Sequence, residues 1–304
     1  MTLMEPTVSV IIPTYNRWPM VGAAIQSVLA QSYHDFELIV VDDGSTDATS
    51  MEVVKRGPQL RYFHQERRGV SAARNLGVRQ SRGRLIAFLD SDDLWQVEKL
   101  KIQVGIMQNS PEVRICQTDE LWIRNGVRVN PRIKHRKPSG DIFVRSLDLC
   151  LVSPSAVMMT RELFERSGRF DESLPVCEDY DLWLRIARDN PVQLIDQPLV
   201  VKHGGHADQL SRSVWGMDRY RVIALQKVLR SGIAGEQRAA ALRVMRKKVG
   251  VLVRGACKRG KTADAEQYQA VLSEFAGEIG NVGERVPQFR RVQGLSCADH
   301  QPLA

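Results

Sequence analysis

Four times between residues 8 and 109, a short apolar, mostly β-branched run is followed by a segment with helical spacing. This alternation constrains the fold more than any other feature. It calls for an α/β architecture, a mostly parallel sheet with helices on both faces. The run at 8–12 stops at Pro13-Thr14-Tyr15-Asn16, and the run at 36–41 enters Asp42-Asp43-Gly44-Ser45-Thr46-Asp47. Residues 60–64 make a third short strand, and the run at 84–89 ends at Asp90-Ser91-Asp92-Asp93. Helices are expected over 19–31, from the 42–47 turn to about 56, over 71–80 and over 96–109.

Past 110 the pattern changes. Residues 112–130 read as a strand pair turning at Asn125-Gly126, a strong hairpin dipeptide. The basic, proline-bearing segment 131–141 reads as a mobile loop. A strand at 155–160 is followed by a short helix at 161–167. A helix at 179–189 should turn Leu182 and Ile186 inward, and a last strand lies at 192–201. From 214 to about 279 only helical periodicity remains, and residues 281–304 read as a flexible tail. The expected division is a catalytic domain over 1–212, with halves at 7–110 and 111–212, and a basic helical extension over 213–280.

Composition narrows the functional classes. A chain of 304 residues suits one α/β domain with an appendage, and 43% hydrophobic against 26% charged residues excludes wholesale disorder. The longest charge-free stretch, 18–34, is interrupted by polar residues, proline and glycine, so no membrane span is expected. No secretory leader is expected either, because Glu5 and Pro6 precede the first apolar run. The five cysteines are scattered without a C-x-x-C pair, which suits reduced thiols in a cytoplasmic protein.

The net charge of +8 is unevenly placed: residues 212–304 hold 17 Lys+Arg against 8 Asp+Glu. The third of the chain holding that excess suits a solvated helical face, or peripheral contact with anionic lipid at the inner face of a membrane. Nucleic acid is not an expected partner, since aromatics are nearly absent from the basic stretch.

In a parallel α/β sheet, ligands bind beyond the carboxyl ends of the strands, where the three polar clusters lie. Asp47 or Thr46 reads equally well as a helix cap. Asp90, Asp92 and Asp93 do not, because three carboxylates within four residues repel one another and a bound cation relieves that cost. Asp-x-Asp supplies hard oxygen ligands for Mg²⁺ or Mn²⁺, completed by substrate phosphate. The chain has no G-x-G-x-x-G after the first strand and no P-loop motif, so phosphate must be held by metal and by side chains such as Arg74.

Residues 8–17, 40–47, 69–77 and 88–93, taken in order, resemble the successive motifs of family 2 glycosyltransferases with the GT-A fold, an inverting group. The resemblance covers roughly 7–212. It implies that Pro13, Thr14, Tyr15 and Asn16 line the nucleotide pocket and that Asp43 or Asp42 accepts a hydrogen bond from the base. Arg74 would approach the base or diphosphate, Asp90 and Asp92 would hold the ribose and the metal, and Ser91 would join the donor nucleotide-binding set. Asp93 would be an alternative metal ligand. Residues 177–183 resemble the family's Glu-Asp motif, which makes Asp179 the catalytic base and puts Glu178 and Trp183 on the acceptor side. Taken alone, Glu178 and Asp179 suit a helix N-terminus and Trp183 suits the core. In the segment after the last strand, His206, or else His203, is a candidate near the diphosphate or metal, and an imidazole ligand favours Mn²⁺.

The implied reaction is metal-dependent transfer of a sugar from a nucleotide-diphosphate donor, with UDP-sugar favoured. The acceptor would be a hydroxyl of a cell-surface glycan or lipid-linked intermediate, one step per visit. The rival readings are a catalytically silent sugar-nucleotide-binding scaffold and a nucleotidyltransferase on a related sheet.

Overall fold

The computed structural model describes residues 5–130, 132–205 and 214–279. The chain forms two compact units that divide between Trp215 and Gly216.

The first unit is built on a nine-stranded sheet in the order β3-β2-β1-β4-β8-β6-β9-β5, with β7 paired to β6. Its parallel half comprises β1 (Val8–Thr14), β2 (Phe36–Asp42), β3 (Arg61–His64) and β4 (Leu85–Phe88). All seven residues of β1 are buried, as a central strand covered on both faces requires. On one face Val8, Val10 and Ile12 pack with Val21, Ala24, Ile25 and Val28 of helix α1 (Met20–Leu29). Leu100, Val104 and Met107 of α4 (Lys99–Asn109) join the same cluster. Helix α2 (Thr49–Val54) follows β2, and α3 (Val70–Gln80) lies against β1 and β2 on the opposite face.

The second half is mixed. Strand β8 (Val157–Thr160) runs antiparallel to both β4 and β6 (Ile115–Arg124). Strand β9 (Gln193–Gly204) is parallel to β6, and the two-residue β5 (Leu94–Trp95) is antiparallel to β9. Six of the nine strands therefore run in one direction. The expected hairpin is present: β7 (Val127–Val129) pairs with β6, and Asn125 and Gly126 have φ of 50° and 77°. Those angles suit the type I′ turn that joins twisted strands.

Short helices α5 (Phe143–Ser146) and α6 (Arg161–Arg166) precede α7 (Glu178–Ala187). The second unit contains α8 (Asp218–Arg230), α9 (Gly235–Lys258), α10 (Thr262–Ser273) and α11 (Ala276–Ile279). Leu242, Met245, Val249 and Leu252 of α9 are buried within this unit, where α9 packs on α8 and α10.

Two expectations need correction. Strand β5 is too short to leave a periodic signal, and it delays α4 to Lys99. The segment expected to be a mobile loop is anchored instead. Its residues 133–135 form a 3₁₀ turn, and the Lys137 ammonium is buried 3.0 Å from Glu120 Oε1 and 3.0 Å from the Thr118 carbonyl. Thr118, Asp119 and Glu120 of β6 pair with Ile195, Pro198 and Val200 of β9, so the extra residues lie on β9 and form a bulge opposite Glu120, which faces the interior.

Candidate active site

The strand ends meet as the alternation requires. Thr14 pairs in register with Asp42, and the Asp43 N–H donates to the Thr14 carbonyl at 2.9 Å. Pro13 and Thr14 close β1, and the Thr14 hydroxyl is buried without a partner among the described residues. The Arg67 guanidinium lies 3.9 Å over the Tyr15 ring and donates to its hydroxyl at 2.9 Å. Asn16, at φ 49°, accepts from the N–H groups of Thr46 at 2.7 Å and Asp47 at 3.3 Å. Its carboxamide holds the 45–47 loop.

Both acids of the second cluster are engaged within the chain. Asp42 accepts from the Ser45 N–H and the Tyr62 hydroxyl, each at 2.8 Å. Asp43 accepts from Gln65 Nε2 at 2.6 Å and from the N–H groups of Arg68 and Gly69 at 2.8 Å. It thereby fixes the turn that launches α3. A carboxylate has about four acceptor positions, so each keeps capacity for a base N–H.

Helix α3 presents Arg74, only 3% exposed, which donates to Asp90 Oδ1 and to Glu178 Oε1 at 2.7 Å each. One guanidinium thus ties the 90–93 loop to the start of α7. Its burial opposes the charge, and the two carboxylates more than offset it. Burial, reinforced by Asp179, pushes Glu178 up to about 7 against the pull of Arg74.

Ser91 is buried beside these acids. Burial and the neighbouring Asp90 charge raise Asp92, while Arg17, 3.1 Å away, lowers it. Asp93 is 1% exposed, and burial raises it well above the usual carboxylate range. It accepts from the Ser155 hydroxyl at 2.6 Å and from the His203 N–H at 3.0 Å, so both its oxygens are used inside the chain. Asp93, the expected alternative metal ligand, thus also pins β9 to this loop.

The start of α7 is turned by Cys177 at φ 62°, a left-handed conformation uncommon outside glycine. The half-buried Asp179 accepts from the Tyr180 N–H at 2.7 Å and faces the Cys150 thiol at 3.4 Å. Trp183 corrects the acceptor-side expectation. It is 2% exposed and packs edge-on against Phe170 at 6.2 Å, in the core cluster with Phe88 and Phe164. Helical spacing places it one turn beyond Asp179 on the inner face.

His206 lies outside the described residues. His203 lies within them: its Nδ1 is 3.0 Å from the Asp92 carbonyl. A carbonyl only accepts, so Nδ1 carries the proton, and Nε2 keeps its lone pair if the ring is neutral.

Sequence reasoning missed three contributors. Arg17 sits one residue past the first polar cluster. The Lys202 ammonium is 3.0 Å from the Ser153 hydroxyl, and it is held charged against burial by Glu120, Asp93, Asp90 and Asp179. Cys150 touches Asp179 across 29 residues, a contact no motif could signal.

Among the described residues no group of three or more His, Cys, Asp or Glu side chains could hold a metal ion by itself. Asp90 and Asp92 do fit a cation shared with substrate. They are hard oxygen donors, and Asp92 is destabilised by burial and by Asp90, a cost that a divalent ion removes.

The fold is that of the GT-A type nucleotide-diphospho-sugar transferases. The family model described as "Glycosyl transferase family 2" matches residues 9–168, and the chain belongs to that family. A Rickettsia felis protein named an uncharacterized glycosyltransferase is 37% identical over 199 residues, 65% of this chain and 33% of its own length. The chain thus spans about a third of that relative. Escherichia coli WfgD, named a UDP-Glc:alpha-D-GlcNAc-diphosphoundecaprenol beta-1,3-glucosyltransferase, is 34% identical over 191 residues, 62% of this chain and 73% of its own. Among solved structures, S. aureus TarS 1-349 in complex with UDP-GlcNAc superimposes with TM-score 0.70 at 20% identity, covering 92% of this chain and 83% of TarS 1-349. Mannosyltransferase PcManGT from Pyrobaculum calidifontis, in complex with GDP-Man and Mn²⁺, gives TM-score 0.57 at 20% identity, covering 92% and 85%. At these identities the solved structures speak for the fold.

Proposed function

We propose that this chain catalyses single-displacement, inverting transfer of a sugar from a nucleoside-diphosphate donor to an acceptor hydroxyl. The observation that carries the reading is the Arg74 bridge, which brings the Asp90–Asp92 loop and the Asp179 helix start to one guanidinium. Donor diphosphate and attacking hydroxyl have to meet across that distance.

Asp179 is the base. It takes the proton of the acceptor hydroxyl as that oxygen attacks the anomeric carbon, opposite the departing nucleoside diphosphate. Glu178 positions it through Arg74 instead of contacting acceptor. Thr14, Tyr15 and Asp43 line the nucleoside pocket, with Asn16 and Asp42 bracing its loops. Asp90 and Asp92 would hold Mn²⁺ or Mg²⁺, with His206 or else His203 as a candidate imidazole ligand. The ion supplies charge stabilisation to the leaving diphosphate.

A UDP-sugar donor is supported by the ligand in the TarS complex and by the name of WfgD. WfgD's name also supports a lipid-linked diphosphate acceptor, hence a role in glycan assembly at the cytoplasmic face of a membrane. Among the described residues no helix is long and apolar enough to cross a membrane. We take residues 1–212 as the catalytic part and 213–280 as a basic helical extension. The expected tail at 281–304 lies outside the described residues.

A thermal-shift panel of UDP, GDP, CDP and dTDP, each with Mn²⁺ or EDTA, tests the reading. Ligand at about 100 times its Kd contributes roughly 2.7 kcal/mol, a readable shift. The expected result is one nucleotide, UDP, that stabilises with Mn²⁺ and not with EDTA. Indifference to all four overturns the reading.

A further inference from the structure

The strongest unexplained surface is the β6–β7 hairpin and the turn after it. Residues 121–140 carry six Lys and Arg and no Asp or Glu. Arg124, Arg128, Arg132, Lys134 and Arg136 are exposed. Among the described residues none of the five forms an ion pair or a side-chain hydrogen bond, whereas arginines elsewhere in the unit, such as Arg61, Arg68 and Arg185, are paired. Two large apolar side chains stand out among these cations: Val127 is 65% exposed and Ile133 92%.

The segment is also held. Pairing of Arg124 with Val127 fixes the hairpin, and the buried Lys137–Glu120 pair anchors the far end. The site lies close to its base, because Lys202 and His203 of β9 stand in register with Trp122 and Ile123 of β6. His203 in turn contacts Asp92 and Asp93. At roughly 3.3 Å per residue the hairpin tip is about 10 Å from that register position.

We propose that this hairpin and turn dock on an anionic lipid surface. The cations lie at headgroup level, Val127 and Ile133 enter the acyl boundary, and the catalytic edge is held over the bilayer. Unpaired cations ringing exposed apolar side chains are complementary to anionic lipid in both charge and polarity. The helices of the second unit fit less well, because the apolar stripe of α9 is buried within its own unit. The assignment rests on the lipid-linked acceptor reading only for its purpose.

The test is co-sedimentation of the full chain with vesicles of phosphatidylcholine, alone or with about one quarter phosphatidylglycerol. Binding is expected only to the anionic vesicles, and it should weaken with salt. Arg128→Glu with Lys134→Glu, and separately Ile133→Asp, should each lower the partition coefficient by about tenfold or more, since each basic residue near the surface matters on that scale. Unchanged melting temperatures show that these exposed substitutions leave the fold intact. Arg254→Glu with Lys258→Glu in α9 should change partition less than about twofold. Loss of binding in the α9 variant with retention in the hairpin variants overturns the assignment in favour of the second unit. No binding to either vesicle, with the nucleotide shift intact, overturns the docking surface and leaves the transferase reading standing. Vesicle binding without any nucleotide shift supports the docking surface and overturns the transferase reading.

Discussion

At the residue scale the acids of the site divide by what already holds them. Asp93 spends both oxygens inside the chain, while Asp92 faces one arginine and Asp179 one thiol and one backbone N–H. Asp92→Ala should therefore fold and lose Mn²⁺-dependent stabilisation by nucleotide, read as a thermal shift no larger than that in EDTA. Asp179→Asn should keep the nucleotide shift, while turnover falls by roughly 10²–10⁴, the scale of a positioned general base. The amide cannot take the proton but fills the same space. The sequence singles these residues out because acids crowded at a strand end or a helix start are costly without a ligand. Trp183 was misjudged because a motif gives identity and spacing, and only packing shows which way a side chain points. Arg74 was expected near the nucleotide base or the diphosphate, and its two ion pairs also tie the 90–93 loop to the start of α7.

At the element scale, α3 reaches the site because it lies close on β1. A Cβ at Gly77 would overlap the Ile11 side chain and crowd Val41. Gly77→Ala should destabilise by about 1–3 kcal/mol, the usual cost of overpacking. Because α3 carries Arg74, nucleotide affinity should fall as well. Urea melts with an unchanged m-value, together with nucleotide titration, check both effects. The parallel strands and the Asn125-Gly126 turn were readable, since β-branched runs and positive-φ dipeptides are local signals. Strand β5 and the register of the β9 bulge against β6 were not. Two residues carry no period, and a bulge exists only relative to its partner strand.

At the scale of the whole molecule, Lys99 is a cost folded into the catalytic unit. It is fully buried, 3.9 Å from the Trp95 ring and bonded to Gln103 Oε1 at 2.5 Å. Burial lowers it from 10.5 to about 7. Between those values the unfolded chain holds a proton that the folded chain has released, so stability rises with pH across the window. Below about 7 both states are charged and the burial penalty is fully present. Lys99→Met should remove a slope of roughly 1.4 kcal/mol per pH unit, read from urea melts between pH 7 and pH 10. By itself the sequence determined the strand–helix alternation, the polar clusters at the strand ends and the family. Those follow from local periodicity and from residue types whose neighbours lie within a few positions. Only the tertiary structure decided that Arg74 joins Asp90 to Glu178, that Lys202 and Cys150 flank the acids, and that Arg124, Arg128, Arg132, Lys134 and Arg136 stand exposed. Those pairings join residues far apart in the chain, and burial chooses among the partners that the sequence leaves open.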